Sequence, residues 1–428
     1  MLPLAFSAAT VLSVFETPTT PGTEVTVRRV YERTGTEHRG YGVRLNPSIG
    51  VGVVAATVSA LPLLLCGGLV VLMQADLDVD AKGLGTGVAT FFGLSALVAV
   101  PVGRLAERQG PRRTTRSGLV LATAALLGIA AVSSAWWMVL LLLALAGAGN
   151  AMTQLGVNLL LARAVARGRH GLAFGTKQAA IPLASLLAGV SIPIIGLSIG
   201  WRWAFAAAAV LGVLAIWIIP PNTARPAEPD RTEVRDARVV PLVLLAVGVG
   251  LGAIGGNCAA AFIVSSLVAD GFGPSTAGLL LASGSTLGIA VRIGSGWLAD
   301  RLGRGSLLLV VGLIAVGIVG FVLLALAPSP AVIVIGTVLA FGGGWGFAGL
   351  ILLAVARTNP RAPAAAMGIV QVGPMAGSVV GPILFGWLAT EVSYRAAWAL
   401  MAILAVIGIA LILVSRRLLL AGRVGASH

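Results

Sequence analysis

Lys177 and Arg292 are cations set deep inside apolar stretches of this chain. A bare charge at such depth in a hydrocarbon layer costs at least ~2.5 kcal/mol. Arg292 lies eight residues before Asp300, and Lys177 eight after Arg169. On a helix each therefore stands about 12 Å in from the nearer polar link. All 15 Asp and Glu residues fall in tails, links or the edges of apolar runs, and so do His38, His170 and His428. No carboxylate is at hand to neutralise the two cations, and no side chain of the kind that exchanges protons near neutral pH lies inside a run. Three things can offset the charge: an anionic solute, water in a cavity, or backbone carbonyls. The bland alternative is snorkelling, in which the long stems carry both charges to the headgroups.

Few polar side chains could share that depth. Asn150, Gln154 and Asn158 follow one another at i, i+4 and i+8, which makes one stripe on one helical face. Such a stripe either lines a cavity or forms a hydrogen-bonded seam between helices. Gln178 and Gln371 are candidates to line the cavity or pin an interface, and Asn257 and Trp345 are weaker ones; a tryptophan inside GGGWGF is as often a packing wedge. Asp76, Asp78 and Asp80 alternate along one link, but no glycine turn and no distal glutamate completes a calcium loop, so they read as a solvated link. Cys66 and Cys258 lie in apolar runs and read as small buried hydrophobes. These residues call for no cofactor, no metal and no catalytic role.

The elements that must position them are membrane helices. Of 428 residues 57% are hydrophobic and 10% charged, with mean hydropathy +0.99. A water-soluble protein of this length has nowhere to hide that much apolar surface. The formal charge of +14 does not point to nucleic acid, because the arginines sit in short links and form no long basic stripe. Apolar length gives twelve spans, near 49–74, 84–104, 117–135, 136–163, 171–197, 202–219, 240–267, 275–299, 305–327, 331–356, 364–390 and 395–415. Residues 1–48 read as a disordered cytoplasmic tail, 49–219 as one six-helix bundle, 220–239 as a polar cytoplasmic linker, 240–415 as a second bundle and 416–428 as a cytoplasmic tail. Twenty-four of the 29 arginines and lysines fall in links on the tails' side; Lys82, Arg202 and Arg395 fall opposite, and Lys177 and Arg292 in neither set. That bias predicts both termini in the cytoplasm and an inner-membrane location.

The two bundles share a register. Gly103, Glu107, Arg108 and Gly110 end one apolar run, and Gly296, Asp300, Arg301 and Gly303 end another 193 residues later (296 − 103 = 193). Gly175, Gln178, Ser185 and Arg202 fall opposite Gly368, Gln371, Ser378 and Arg395 at the same offset. One spacing relating two unlike patterns marks an internal repeat. Twelve spans in two repeats, with G-x-x-x-[DE]-R-x-G after spans two and eight, resemble the major facilitator superfamily of secondary transporters over residues 49–415. The resemblance implies an all-α polytopic membrane protein of twelve transmembrane helices in two pseudo-symmetric bundles. It implies further that the two motif copies brace the bundles as gates and do not touch substrate. Glu107 and Pro111 depart from the family pattern, so the first copy is expected to hold less firmly. The span-four arginine and glutamine of many proton-driven exporters are missing from Leu143–Gly149, LALAGAG.

The residues and the resemblance together favour a carrier, acting as a monomer in the lipid bilayer, that moves a small anion held by Arg292 and Lys177 between the bundles. An arginine in span eight or its counterpart holds the anion in oxalate and nitrate porters of the superfamily. The alternative is a proton-linked exporter of hydrophobic or cationic compounds. A membrane enzyme is disfavoured, since only the link aspartates near Asp78 hint at surface chemistry.

Overall fold

The computed structural model describes residues 47–164, 170–219, 239–302, 306–359 and 363–424. The expected tails at 1–48 and 416–428 and the linker at 220–239 lie wholly or partly outside the described residues. Twelve helical spans long and apolar enough to cross a membrane are described. They are α1 (Pro47–Leu77), α2 (Ala81–Gln109), α3 (Pro111–Val132), α4 (Trp136–Ala164), α5, α6 (Trp201–Ile218), α7 (Val239–Ala269), α8 (Pro274–Leu302), α9 (Ser306–Leu326), α10, α11 (Pro363–Glu391) and α12 (Tyr394–Val424). Two of them are broken. The α5 span runs as His170–Gln178 and Ala180–Ser191, passes through a π turn at Ile192–Gly196 and ends at Leu197–Ile199, while α10 runs as Pro330–Gly344 and Ala348–Thr358.

Local chemistry sets the sharp joints. A single residue, Gly110, separates α2 from α3; its φ of 83° is cheap only for glycine, and Pro111 opens the next helix where its missing N–H costs nothing. Gly103, Glu107 and Arg108, expected in a loop, therefore lie on the last two turns of α2, and α3 begins at Pro111, six residues before the expected start. Gly200, φ 102°, makes the equivalent joint between α5 and α6. Asp80 caps α2 by accepting from the Gly83 N–H at 2.7 Å, and Asp76 pairs with Arg202 at 2.7 Å, so two of the three link aspartates have structural work.

The 193-residue offset reappears in the helices: α2 and α8 are both 29 residues long and begin at 81 and 274 (274 − 81 = 193), α5 and α11 begin at 170 and 363, and α6 and α12 at 201 and 394. The hydrophobic core follows the same division with one asymmetry. A single cluster runs through both bundles, joining Leu69, Phe91 and Phe205 to Phe262, Phe385 and Trp398, and in the first bundle it continues to Val157 and Leu161 toward the arginine-rich end. At the arginine-rich end a separate cluster around Leu242, Val310, Val355 and Val370 belongs to the second bundle alone.

Glycines explain how the bundles meet and where they part. A methyl group at Gly85 would strike the Pro382 carbonyl, and one at Gly386 would strike the Ala81 carbonyl, so α2 and α11 touch backbone to backbone near the arginine-poor end. Eighteen residues on, five full turns, the same helix faces carry Gly103 and Gly368. There a methyl group would meet no described atom within 4 Å. The two helices diverge along their length and leave the arginine-rich end open between them. The pseudo-symmetric pair α5 and α8 has open space at the matching glycines, Gly175 and Gly296, as well. It touches at Gly189 and Gly278, again where Gly288 faces Pro182 at 3.6 Å, and α10 continues the contact with Gly349 against Gly175 at 3.4 Å.

Candidate functional site

The site begins with a proline. Pro182 lies four residues after Gln178 in α5 and has no N–H, so the Gln178 carbonyl loses its helical donor. The helix is interrupted there, with Ala179 between its two segments. A second unused carbonyl arises in α10, where the glycine run ahead of Trp345 lets the helix unwind over 345–347. Arg292 on α8 reaches both. Its Nε–H donates to the Trp345 carbonyl at 2.9 Å and its Nη1 donates to the Gln178 carbonyl. The guanidinium carbon also lies 4.8 Å from the centroid of the Trp345 ring, within cation–π range. Arg292 is 3% exposed, and its Nη2 is buried with no partner among the described residues.

Behind Arg292 a hydrogen-bonded chain fixes the tryptophan. Trp345 Nε1–H donates to Asn257 Oδ1 on α7 at 3.1 Å; Asn257 Nδ2 donates to Ser378 Oγ on α11 at 2.8 Å; and the Ser378 hydroxyl donates to the Pro374 carbonyl at 2.7 Å. Four helices of the second bundle, α7, α8, α10 and α11, thus converge on one guanidinium. Asn257 and Trp345 belong to this support, and Trp345 also touches the cation directly.

Lys177 precedes Gln178 in α5 and is 6% exposed. It has no hydrogen-bond or ion-pair partner among the described residues, and Arg292 is near enough to repel it. Neither cation is turned to lipid. None of Asp76, Asp78, Asp80, Glu107, Asp270 and Glu391 is buried, so nothing acidic among these residues offsets either charge. Backbone carbonyls partly offset Arg292, whereas Lys177 has no such acceptor among the described residues.

The polar stripe of α4 divides. Asn150 is held in a seam: Ser59 on α1 donates to its Oδ1 at 3.1 Å, Gln154 donates to the same oxygen at 3.3 Å, and its Nδ2 donates to Ser95 on α2 at 3.4 Å. Asn158, half-buried, has no such bond among the described residues. The Gln178 side chain is half-buried and makes no such bond either; its backbone carbonyl makes the contact with Arg292. Gln371, on the diverging face of α11, is exposed. Of the motif residues, Glu107 and Arg108 are exposed at the open end of α2. Arg301 stacks on Trp297 with 3.8 Å to the ring centroid. The side chain of Asp300 and all of Gly303 lie outside the described residues, and Gly296 meets no neighbour within 4 Å.

Sequence reasoning passed over Pro182, Ser59 and Ser95, and met Ser378 only as a position of the repeat. For Pro182 a signal was present, a proline four residues after a polar position inside an apolar run; the serines carried none, since hydroxyls on membrane helices commonly bond their own preceding turn.

The family model described as Major Facilitator Superfamily matches residues 49–310 and 245–421. Comparison with curated proteins gives no match. Among solved structures the chain is similar to a bacterial homologue of the human lysosomal transporter Spinster in an inward-facing and occupied conformation, at 15% identity over 86% of this chain and 96% of that one, with a TM-score of 0.64. The same homologue in an inward-facing and unoccupied conformation gives 14% identity over 88% and 97%, with a TM-score of 0.68. Likeness at that identity speaks to the fold.

Proposed function

The chain belongs to the Major Facilitator Superfamily, and from that premise we propose that it is a secondary transporter of the inner membrane that carries a small organic or inorganic anion between its two bundles by alternating access. The observation that carries the anion is Lys177: a buried cation with no partner among the described residues, next to an arginine whose Nη2 is also bare. An anion between the two cations would relieve the desolvation that burial imposes on both. The arginine bias of the links directs the open end to the cytoplasm. In this reading the α2 and α11 faces that part at Gly103 and Gly368 are the inner gate, and the motif residues Glu107, Arg108 and Arg301 brace it when it shuts. Because no acid or histidine lies in the interior of an apolar run, coupling comes from a proton travelling with the anion or from exchange of anions.

The test is uptake into proteoliposomes across a panel of carboxylates, with Lys177→Ala and Arg292→Ala alongside. Loss of uptake in both variants, with protein retained in the bilayer, is the expected result. Undiminished uptake would remove the cations from the mechanism.

One observation favours the alternative, a proton-linked exporter of hydrophobic or cationic compounds. At the level of Arg292 and Pro182 the matching positions on α2 and α11 are apolar, Ala99 and Met375, and Met375 is 41% exposed. Drug sensitivity on deletion, together with export that ignores Lys177→Ala, would select it.

A further inference from the structure

Two seams join the bundles, α5 with α8 and α2 with α11, and the internal repeat makes them copies of one another. Both touch near the arginine-poor end and have open space at their far glycines, Gly175 and Gly296 in one and Gly103 and Gly368 in the other; α5 and α8 also stay closed between these levels, where Gly288 faces Pro182 at 3.6 Å. The residues at matching positions differ at that level. Where the closed seam has Arg292 on α8, the open seam has Ala99 on α2 (292 − 193 = 99). Where the closed seam has Pro182 on α5, the open seam has Met375 on α11 (375 − 182 = 193). The open seam has no donor at the position of Arg292, and its own proline, Pro374, stands one position earlier than Pro182 does, so it frees the Val370 carbonyl and not the one that matches Gln178.

We infer that Pro182 is a positioning residue for Arg292. By leaving the Gln178 carbonyl without a helical donor, it creates an acceptor on the first bundle that straps the arginine of the second and holds the α5–α8 seam shut while the α2–α11 seam opens. Arg292 is suited to the task because its groups are divided between the bundles. Nε–H stays with the Trp345 carbonyl inside its own bundle, and Nη1 alone crosses to the other. The strap is detachable at the cost of one charge-assisted hydrogen bond, and releasing it exposes a carbonyl with no other donor in its helix. A gate held this way opens on one flank, so the rocking of the bundles is hinged at the strapped seam. The inference goes beyond the anion reading and stands without it, since both partners of the strap belong to the chain.

Spin-label distances in the full chain, free of added substrate in lipid nanodiscs, test it. Label pairs at Thr176 and Ile293 report the strapped seam, and pairs at Gly103 and Gly368 the open one, in a background with Cys66 and Cys258 replaced by alanine. Pro182→Ala returns an N–H to position 182 and frees Arg292. The 176–293 distribution then gains a second population about one helical turn longer, ~5 Å. Arg292→Ala produces the same population, and the double variant adds nothing further. The decisive control is the α-hydroxy acid analogue of alanine at 182, which keeps the methyl side chain but removes the N–H again. It restores the wild-type distribution if the freed carbonyl is the cause. The inference is overturned if Pro182→Ala leaves the 176–293 distances unchanged, if Arg292→Ala does so, or if the hydroxy-acid analogue behaves like Pro182→Ala, which would assign the effect to the shape of the ring.

Discussion

Lys82 Nζ lies 3.6 Å from Glu391 Oε1, and this ion pair joins the first bundle to the second at the arginine-poor end. The Lys82 N–H donates to Thr390 Oγ1 at 3.2 Å beside it. Both charged side chains are about half exposed (54% and 50%), which limits such a pair to about 0–1 kcal/mol. Backbone contact between the two helices at Gly85 and Gly386 therefore does most of the closing, and the ion pair sets its register. Glu391→Lys puts like charges across the seam and is expected to shift the population closed at this end by no more than about fivefold, an effect that shrinks with added salt. Exchanging the charges, Lys82→Glu with Glu391→Lys, restores the wild-type balance. The spacing of labels at Gly103 and Gly368 reads the shift.

The glycine contact itself predicts a much larger effect. A methyl group at Gly85 already meets the Pro382 carbonyl, so Gly85→Leu leaves no room for α11 to approach. The arginine-poor end then cannot close. The variant is expected to remain folded in the membrane, to show a short Gly103–Gly368 label distance and to lose transport at least tenfold. Gly103→Leu, at the diverging end of the same face, is the comparison. Bulk there does not disturb the conformation described, and it blocks the opposite closure.

Trp345 is held from both sides, its Nε1–H on Asn257 and its carbonyl on Arg292. Trp345→Phe keeps a ring under the guanidinium but strands the buried Asn257 Oδ1. It is expected to cost about 1–3 kcal/mol of stability, the penalty of an unsatisfied buried acceptor. Asn257→Leu strands the indole N–H in its turn. If both act through one chain, the double variant costs less than the two single costs added together, which thermal unfolding in detergent measures.

The fold was legible because membrane spans are written in composition and the repeat in spacing. Twelve apolar runs, and the pairing of Gly103 with Gly296 across 193 residues, needed no tertiary information. The bounds of the elements were less so. Pro111 starts α3 well before its apolar run does, because helix propagation depends on backbone geometry and apolar length measures only lipid contact. At the site, the sequence placed Lys177 and Arg292 in apolar runs without carboxylates and named backbone carbonyls among the groups able to meet a buried cation. It could not say which carbonyls. That depends on a helix break in α5 meeting a helix break in α10 around an arginine from α8, three elements whose juxtaposition only the tertiary structure supplies. The stripe of α4 shows the converse limit: one periodicity covers both Asn150, tied into a seam, and Asn158, which is not.

The two buried cations are expected to respond oppositely to the same substitution. Lys177 has no described partner to lose, so Lys177→Met keeps the stem and removes a buried charge. Stability should rise by about 1–3 kcal/mol, up to the scale of the ~2.5 kcal/mol cost of a bare cation at this depth, less what residual hydration of the ammonium already offsets. Arg292→Met removes a charge too, but it strands the carbonyls of Gln178 and Trp345. Each stranded acceptor costs about 1–3 kcal/mol, and the ring of Trp345 loses its cation, so the net change is a loss. Thermal unfolding of the two variants in the same detergent compares the signs directly. A gain for Lys177→Met accompanied by lost uptake is the pattern of a residue retained for its task against its own cost to the fold. A loss for Lys177→Met would mean that the ammonium has a structural partner, and it would leave the anion without its principal ligand.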